Sequence, residues 1–177
     1  MSSTRRMVIL ALCIAIASIL HVVETWLPVP MPLPGAKLGL ANIVSLFVIL
    51  LYGWRDALSV AVVRVWLGSV FGGALLGPAF LMSISGTLAS TWVMAYTYSR
   101  WPGVFSLIGI SIIGAVTHNV AQLFMATILV SNLSVLWYLP YLFLFALPTG
   151  VAVGYGAAFF LTKLTQATNQ RNKYYCS

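Results

Sequence analysis

Of 177 residues, only two are acidic and nine are Lys or Arg, while 61% are hydrophobic. With a mean hydropathy of +1.01 and 6% charged residues, the chain cannot cover the surface of a water-soluble domain. Its +7 net charge is not clustered on a soluble face, so it excludes a nucleic-acid footprint and reads as membrane topology plus attraction to anionic lipid.

The expected fold is all-α: one domain, residues 1–164, built as a bundle of six transmembrane helices of about 20 apolar residues each. The first span is predicted over 7–27. Arg5 and Arg6 precede it as they would in a signal peptide, but more membrane sequence follows, so an uncleaved span is expected. Prolines at every second position from Pro28 to Pro34 predict a stiff, extended connection over 28–35. The second span is expected over 38–54, with Tyr52, Trp54 and Arg55 at headgroup depth, and the third over 57–71. Glycines between 72 and 77 turn the chain into a fourth span over 79–98. The fifth covers 104–130. The sixth covers 136–164, interrupted by Pro140 and Pro148, and leaves a polar, disordered tail at 165–177.

Six spans put Arg5, Arg6, Arg55, Arg100, Lys163, Arg171 and Lys173 on one side and Lys37 on the other. The excess of basic residues in cytoplasmic loops then places both termini in the cytoplasm of a multi-pass cell-membrane protein. Five or seven spans would divide the basic loops between the two sides.

Several polar residues sit where lipid tails would be. Arg64 lies eight residues past Asp56, about 12 Å along a helix. It is either an ion-paired or snorkelling charge, or a guanidinium lining a cavity and facing a carboxylate or phosphate. His21 and Glu24 share a face at the outer end of the first span. Glu24 either pairs with Lys37 or Arg64 or sits among headgroups. On the fifth span Thr117, His118, Asn119 and Gln122 form the most polar intramembrane stretch, with Ser111 further back along the His118–Gln122 face. Interhelical hydrogen bonds explain such groups without a ligand; so many at one depth favour a cavity. The fourth span adds Ser83, Ser85, Thr87, Ser90 and Thr91, whose hydroxyls can also bond their own helix. Glu24, Lys37, Asn42, Ser83 and Gln122 fall in the outer half, with Arg64 and His118 near mid-depth. That convergence predicts an outward pocket capped by residues 28–35. Ala11 and Ala15 on the first span, and Gly150 and Gly154 on the last, are small-residue pairs that allow close helix approach.

What is missing narrows the chemistry. One Asp and one Glu leave no paired carboxylates for acid–base work. There is no P-loop, dinucleotide-binding glycine pattern or Asp-rich cluster for Mg²⁺. Cys13 and Cys176 suit neither a disulfide nor a metal site. The chain is expected to be no enzyme and to need no cofactor or metal.

The stretch 34–43, with Lys37, Leu38, Gly39, Leu40, Ala41 and Asn42, together with Arg64 and the stretch 114–122, resembles the Gx transporter family, also called heptaprenyl diphosphate synthase component I. The likeness runs from the first span to the sixth. That family is similar to the substrate-binding S components of energy-coupling factor vitamin transporters. The resemblance implies six helices, an outward pocket, and an Ala11–Ala15 face that docks a transmembrane coupling subunit served by separate ATPases. It also implies that Lys37, Asn42, Arg64, His118, Asn119 and Gln122 line the site, with Glu24 at its mouth. The implied ligand is a small anionic molecule such as a prenyl diphosphate or a carboxylate-bearing quinone precursor, with Trp26 and Trp66 as stacking surfaces. The family name implies instead a non-catalytic membrane partner of a soluble prenyl synthase subunit.

Overall fold

The computed structural model describes residues 3–26 and 37–175; the expected cap at 28–35 lies outside them. The described residues form six α-helices in chain order: α1 (Ser3–Trp26), α2 (Asn42–Tyr52), α3 (Trp54–Phe71), α4 (Pro78–Arg100), α5 (Leu107–Val130) and α6 (Leu139–Tyr175). A 3-10 turn at Leu133–Tyr138 leads into α6, whose start is favoured by Pro140, since a first-turn residue needs no N–H donor. Helix α6 runs past residue 164, where the sequence reading ends the last span, and includes 165–175. That stretch is polar but contains no Gly or Pro and is rich in Gln, Lys and Arg, which are good helix formers.

Four stretches are long and apolar enough to cross a membrane: Thr4–Trp26, Pro78–Arg100, Leu107–Val130 and Leu133–Lys163. The chain is therefore a helical membrane protein. The two remaining helices differ from the expected spans. Helix α3 carries three charged residues, Arg55, Asp56 and Arg64, in 18 residues. Helix α2 has only 11 residues, about 16 Å of rise against a hydrocarbon core of about 30 Å.

This shortest helix is the hub of the bundle. Helix α1 packs on α3, α3 on α4, α4 on α5 and α5 on α6, while α2 touches all five of the others. Leu46, Val48 and Ile49 are almost wholly buried, as expected of a helix apolar on every side. Helices α5 and α6 approach closely because Gly150 and Gly154 lie against the Ile112 and Ile108 backbones; added Cβ atoms would come within 2.7 and 2.6 Å of those Cα atoms. At one end, Arg6 Nε and Nη2 donate to Asp56 at 3.0 and 2.7 Å, tying the start of α1 to the start of α3.

Enlarging the α6 contact face tests this packing. Gly154→Leu forces the two backbones apart, and overpacking of this kind costs about 1–3 kcal/mol. The thermal unfolding midpoint in detergent is expected to fall, whereas Leu144→Ala, at an exposed position on the same helix, leaves it near the parent value.

Candidate functional site: a buried cationic centre

The chain between the first two helices enters the bundle interior before α2 begins. Its backbone groups cannot find water there and must be satisfied by protein. Glu24, 6% exposed near the end of α1, accepts from the Gly39 N–H and, at 3.3 Å, from the Leu40 N–H. Gln122 on α5 accepts from the Lys37 N–H through Oε1 at 3.0 Å. The turn closes with the Asn42 N–H donating to the Gly39 carbonyl at 2.9 Å. Gly39 has φ +82°, and a Cβ there would meet Asn42 Nδ2 at 2.9 Å and His118 Cδ2 at 3.2 Å. Both the backbone twist and the contact therefore require glycine.

Around this turn the predicted residues largely converge. Arg64, 1% exposed, donates through Nη2 to Asn42 Oδ1 at 2.8 Å and to Thr87 Oγ1 at 3.3 Å. Lys37 Nζ lies 2.5 Å from His21 Nε2, a donor–acceptor pair for a neutral imidazole protonated on Nδ1. His118 Nε2 is 2.5 Å from Gln122 Nε2. Gly86 on α4 makes room for both, since a Cβ there would meet Gln122 Cγ at 2.8 Å and the His118 ring at 3.0 Å. Arg64, Thr87 and His118 all sit near the middle of their helices, so the centre lies at mid-bundle.

Not every predicted residue joins it. Asn119 turns away, its Nδ2 donating to the Leu142 carbonyl of α6 at 3.1 Å. Ser83 is buried one turn before Thr87, its hydroxyl without a hydrogen-bond partner among the described residues. Glu24 and Gln122 serve the backbone of the turn. Ala11 and Ala15 lie on the exposed side of α1. Trp26 is 73% exposed, and Trp66 is 46% exposed with its ring 5.3 Å from that of Phe80; both look out of the bundle. His21 and Thr87 belong to the centre. The i, i+3 pairing of His21 with Glu24 is visible in the sequence, while the role of Thr87 depends on how α4 docks.

The electrostatics are unbalanced. Two cations, Lys37 and Arg64, are buried with a single carboxylate, Glu24, because the chain's only other acid, Asp56, is engaged by Arg6. Arg64 Nε and Asn42 Nδ2 are buried donors with no hydrogen-bond partner among the described residues. Unpaired charge and unsatisfied donors in a low-dielectric interior are costly, and an anion offers both the missing charge and the missing acceptors. Among the described residues no group of three or more His, Cys, Asp or Glu is placed to hold a metal ion.

These features define a helical membrane protein with a cationic polar centre built on a turn inside the bundle. The model of the heptaprenyl diphosphate synthase component I family matches residues 13–160, and the chain belongs to that family. No curated protein and no solved structure matches the chain. The family description names a component of a synthase, and with one Asp and one Glu this chain has no carboxylate pair with which to run metal–diphosphate chemistry.

Replacing Arg64 separates folding from binding. Arg64→Met removes a buried, uncompensated charge while keeping much of its volume, a change that is often neutral or stabilising. The thermal midpoint of the ligand-free protein is expected to stay level or rise. An anion that raises the midpoint of the parent protein is expected to lose that effect in the variant. A steep fall without ligand would mark Arg64 as structural.

Proposed function

We propose that this chain is the substrate-binding membrane subunit of a multicomponent importer of the energy-coupling-factor kind, and that it captures a small anionic molecule at the Arg64–Lys37 centre. The observation that carries the reading is the surplus of buried positive charge over the single carboxylate Glu24, together with the unpartnered Nε of Arg64. A guanidinium with free donors is suited to a carboxylate or phosphate. The start of a helix inside the bundle adds a positive dipole end, the device by which broken membrane helices hold anions.

In this proposal all six helices cross the cell membrane, α2 completing its span through the turn at 37–41. Both termini are cytoplasmic, with Arg5, Arg6, Arg55, Arg100 and Lys163 on that side. The Arg6–Asp56 bond supports this topology, since it joins the starts of α1 and α3 at one end. Lys37, Asn42, Arg64 and His118 contact the ligand, and Ser83 borders them. Glu24 and Gln122 hold the turn, Asn119 holds α6, and residues 28–35 cap the site. Without a P-loop in the chain, energy comes from separate ATPases through a transmembrane coupling subunit that docks on Ala11 and Ala15. Family membership favours a second reading, in which the same centre belongs to a non-catalytic membrane subunit that assists a heptaprenyl diphosphate synthase.

The two readings separate on the exposed face of α1. Ala11→Leu and Ala15→Leu are expected to abolish co-purification of a coupling subunit while leaving anion binding intact. Native mass spectrometry of the parent protein is expected to show a retained anion, absent from Arg64→Gln, whose affinity falls about 100-fold on loss of a buried charged contact. Co-purification of a prenyl synthase subunit with no retained anion would favour the second reading and overturn the first.

A further inference from the structure

Helices α1 and α6 flank α2 from opposite sides without packing on each other. Between them, floored by α2, lies a groove of about 470 Å³ whose lining residues are all apolar. The volume falls within the usual range for small-molecule sites. Its two ends differ. On α1 the lining residues Cys13, Ile16 and Leu20 recur at helical spacing, and the next step along that stripe is Glu24. On the floor, the Leu40 side chain lines the groove while its N–H is held by Glu24. The groove therefore begins at the turn on which the cationic centre is built. It ends at Cys13, Phe47 and Phe160, about 10 Å away by the rise along α1.

We infer that this groove holds the hydrocarbon chain of the molecule whose anionic head binds at the Arg64–Lys37 centre, so that the ligand is a single-chain prenyl phosphate or diphosphate. The inference rests on the proposed anion site and names its substrate class. Three observations support it. The centre lacks a negative charge, the groove lacks any polar wall, and Leu40 belongs to both. The groove is small for a partner helix, which with its side chains is about 10–12 Å across and would seat only in part. The prenyl class is the one named in the family description. The groove stays open because α6 presents Ala152 and Ala157 to it; larger residues there would fill it.

The test uses the full chain in nanodiscs with inorganic diphosphate, geranyl diphosphate, farnesyl diphosphate and dodecyl phosphate as probes. The parent protein is expected to bind farnesyl diphosphate about tenfold or more tightly than inorganic diphosphate, with geranyl diphosphate between them and dodecyl phosphate weaker. Ala157→Phe is expected to erase the chain-length preference while leaving inorganic diphosphate binding unchanged. Ile16→Trp, which adds bulk at a half-exposed wall position and spares the core, is expected to do the same if Ala157→Phe fails to fold. A farnesyl diphosphate carrying a diazirine at its tail is expected to label peptides containing Cys13, Phe47 or Phe160. A chain-length preference that survives both fillings, labelling confined to other segments, or equal binding of dodecyl phosphate would overturn the groove assignment alone. Failure of every anion to bind would overturn the proposed function and the groove with it.

Discussion

The structure depends on satisfying a piece of non-helical backbone inside a bundle that has no water to offer it. Helix α2 has only 11 residues, so the turn before it lies at the level of His118, halfway along α5. Each N–H of that turn left without a partner would cost about as much as a lost hydrogen bond in an apolar medium. Two long polar side chains from distant helices, Glu24 on α1 and Gln122 on α5, meet this demand. Because they come from opposite parts of the chain, the same bonds that cap α2 also fix where α1 and α5 stand around it. The hub position of α2 and the polarity of its surroundings are thus one design.

That design has an electrostatic remainder. A carboxylate is a good acceptor for two N–H groups, but it brings only one negative charge to a neighbourhood containing both Lys37 and Arg64. Arg64 is held by neutral acceptors, Asn42 and Thr87, which orient a guanidinium without neutralising it. A purely structural arginine at this depth would be expected to pair with an acid, since pairing is the usual way a membrane interior accommodates charge. The chain's second acid instead sits at one end with Arg6. Its placement leaves the centre positive.

Much of this was legible in the sequence, and the limits have physical causes. Arg64, His118 and Gln122 announced themselves because polar groups are rare within apolar runs. The helix order could be read from apolar stretches and their punctuation. The shortness of α2 could not, since Leu38, Gly39, Leu40 and Ala41 are apolar and hydropathy does not register an unwound turn. Gly39 between Lys37 and Asn42 was the available sign. Asn119 was grouped with His118 and Gln122 by proximity in sequence, yet one residue is a rotation of about 100° on a helix, enough to aim it at α6. The polar stretch after residue 164 was read as a tail because polarity was taken for disorder, whereas its composition favours helix. The groove was invisible because it is a gap between α1 and α6, and no single segment encodes a gap.

The import and synthase readings make opposite demands on α1 but the same demand on the interior. A subunit that delivers an anion to a coupling partner and one that presents an anionic isoprenoid to a soluble synthase both need a membrane-embedded positive centre. Both also need that centre to open toward somewhere. Helix α1 is the least embedded of the packed helices: it contacts only α2 and α3 and leaves Leu12, Ile16 and Ile19 exposed. It also carries Glu24, whose carboxylate secures the turn at the heart of the centre. Any partner that shifts α1 must therefore strain or release the Glu24 bonds to Gly39 and Leu40, which couples docking on the outer face of α1 to the binding centre through one side chain. Whichever partner the chain serves, the contact that assembles the complex and the contact that organises the site lie on the same helix, less than four turns apart.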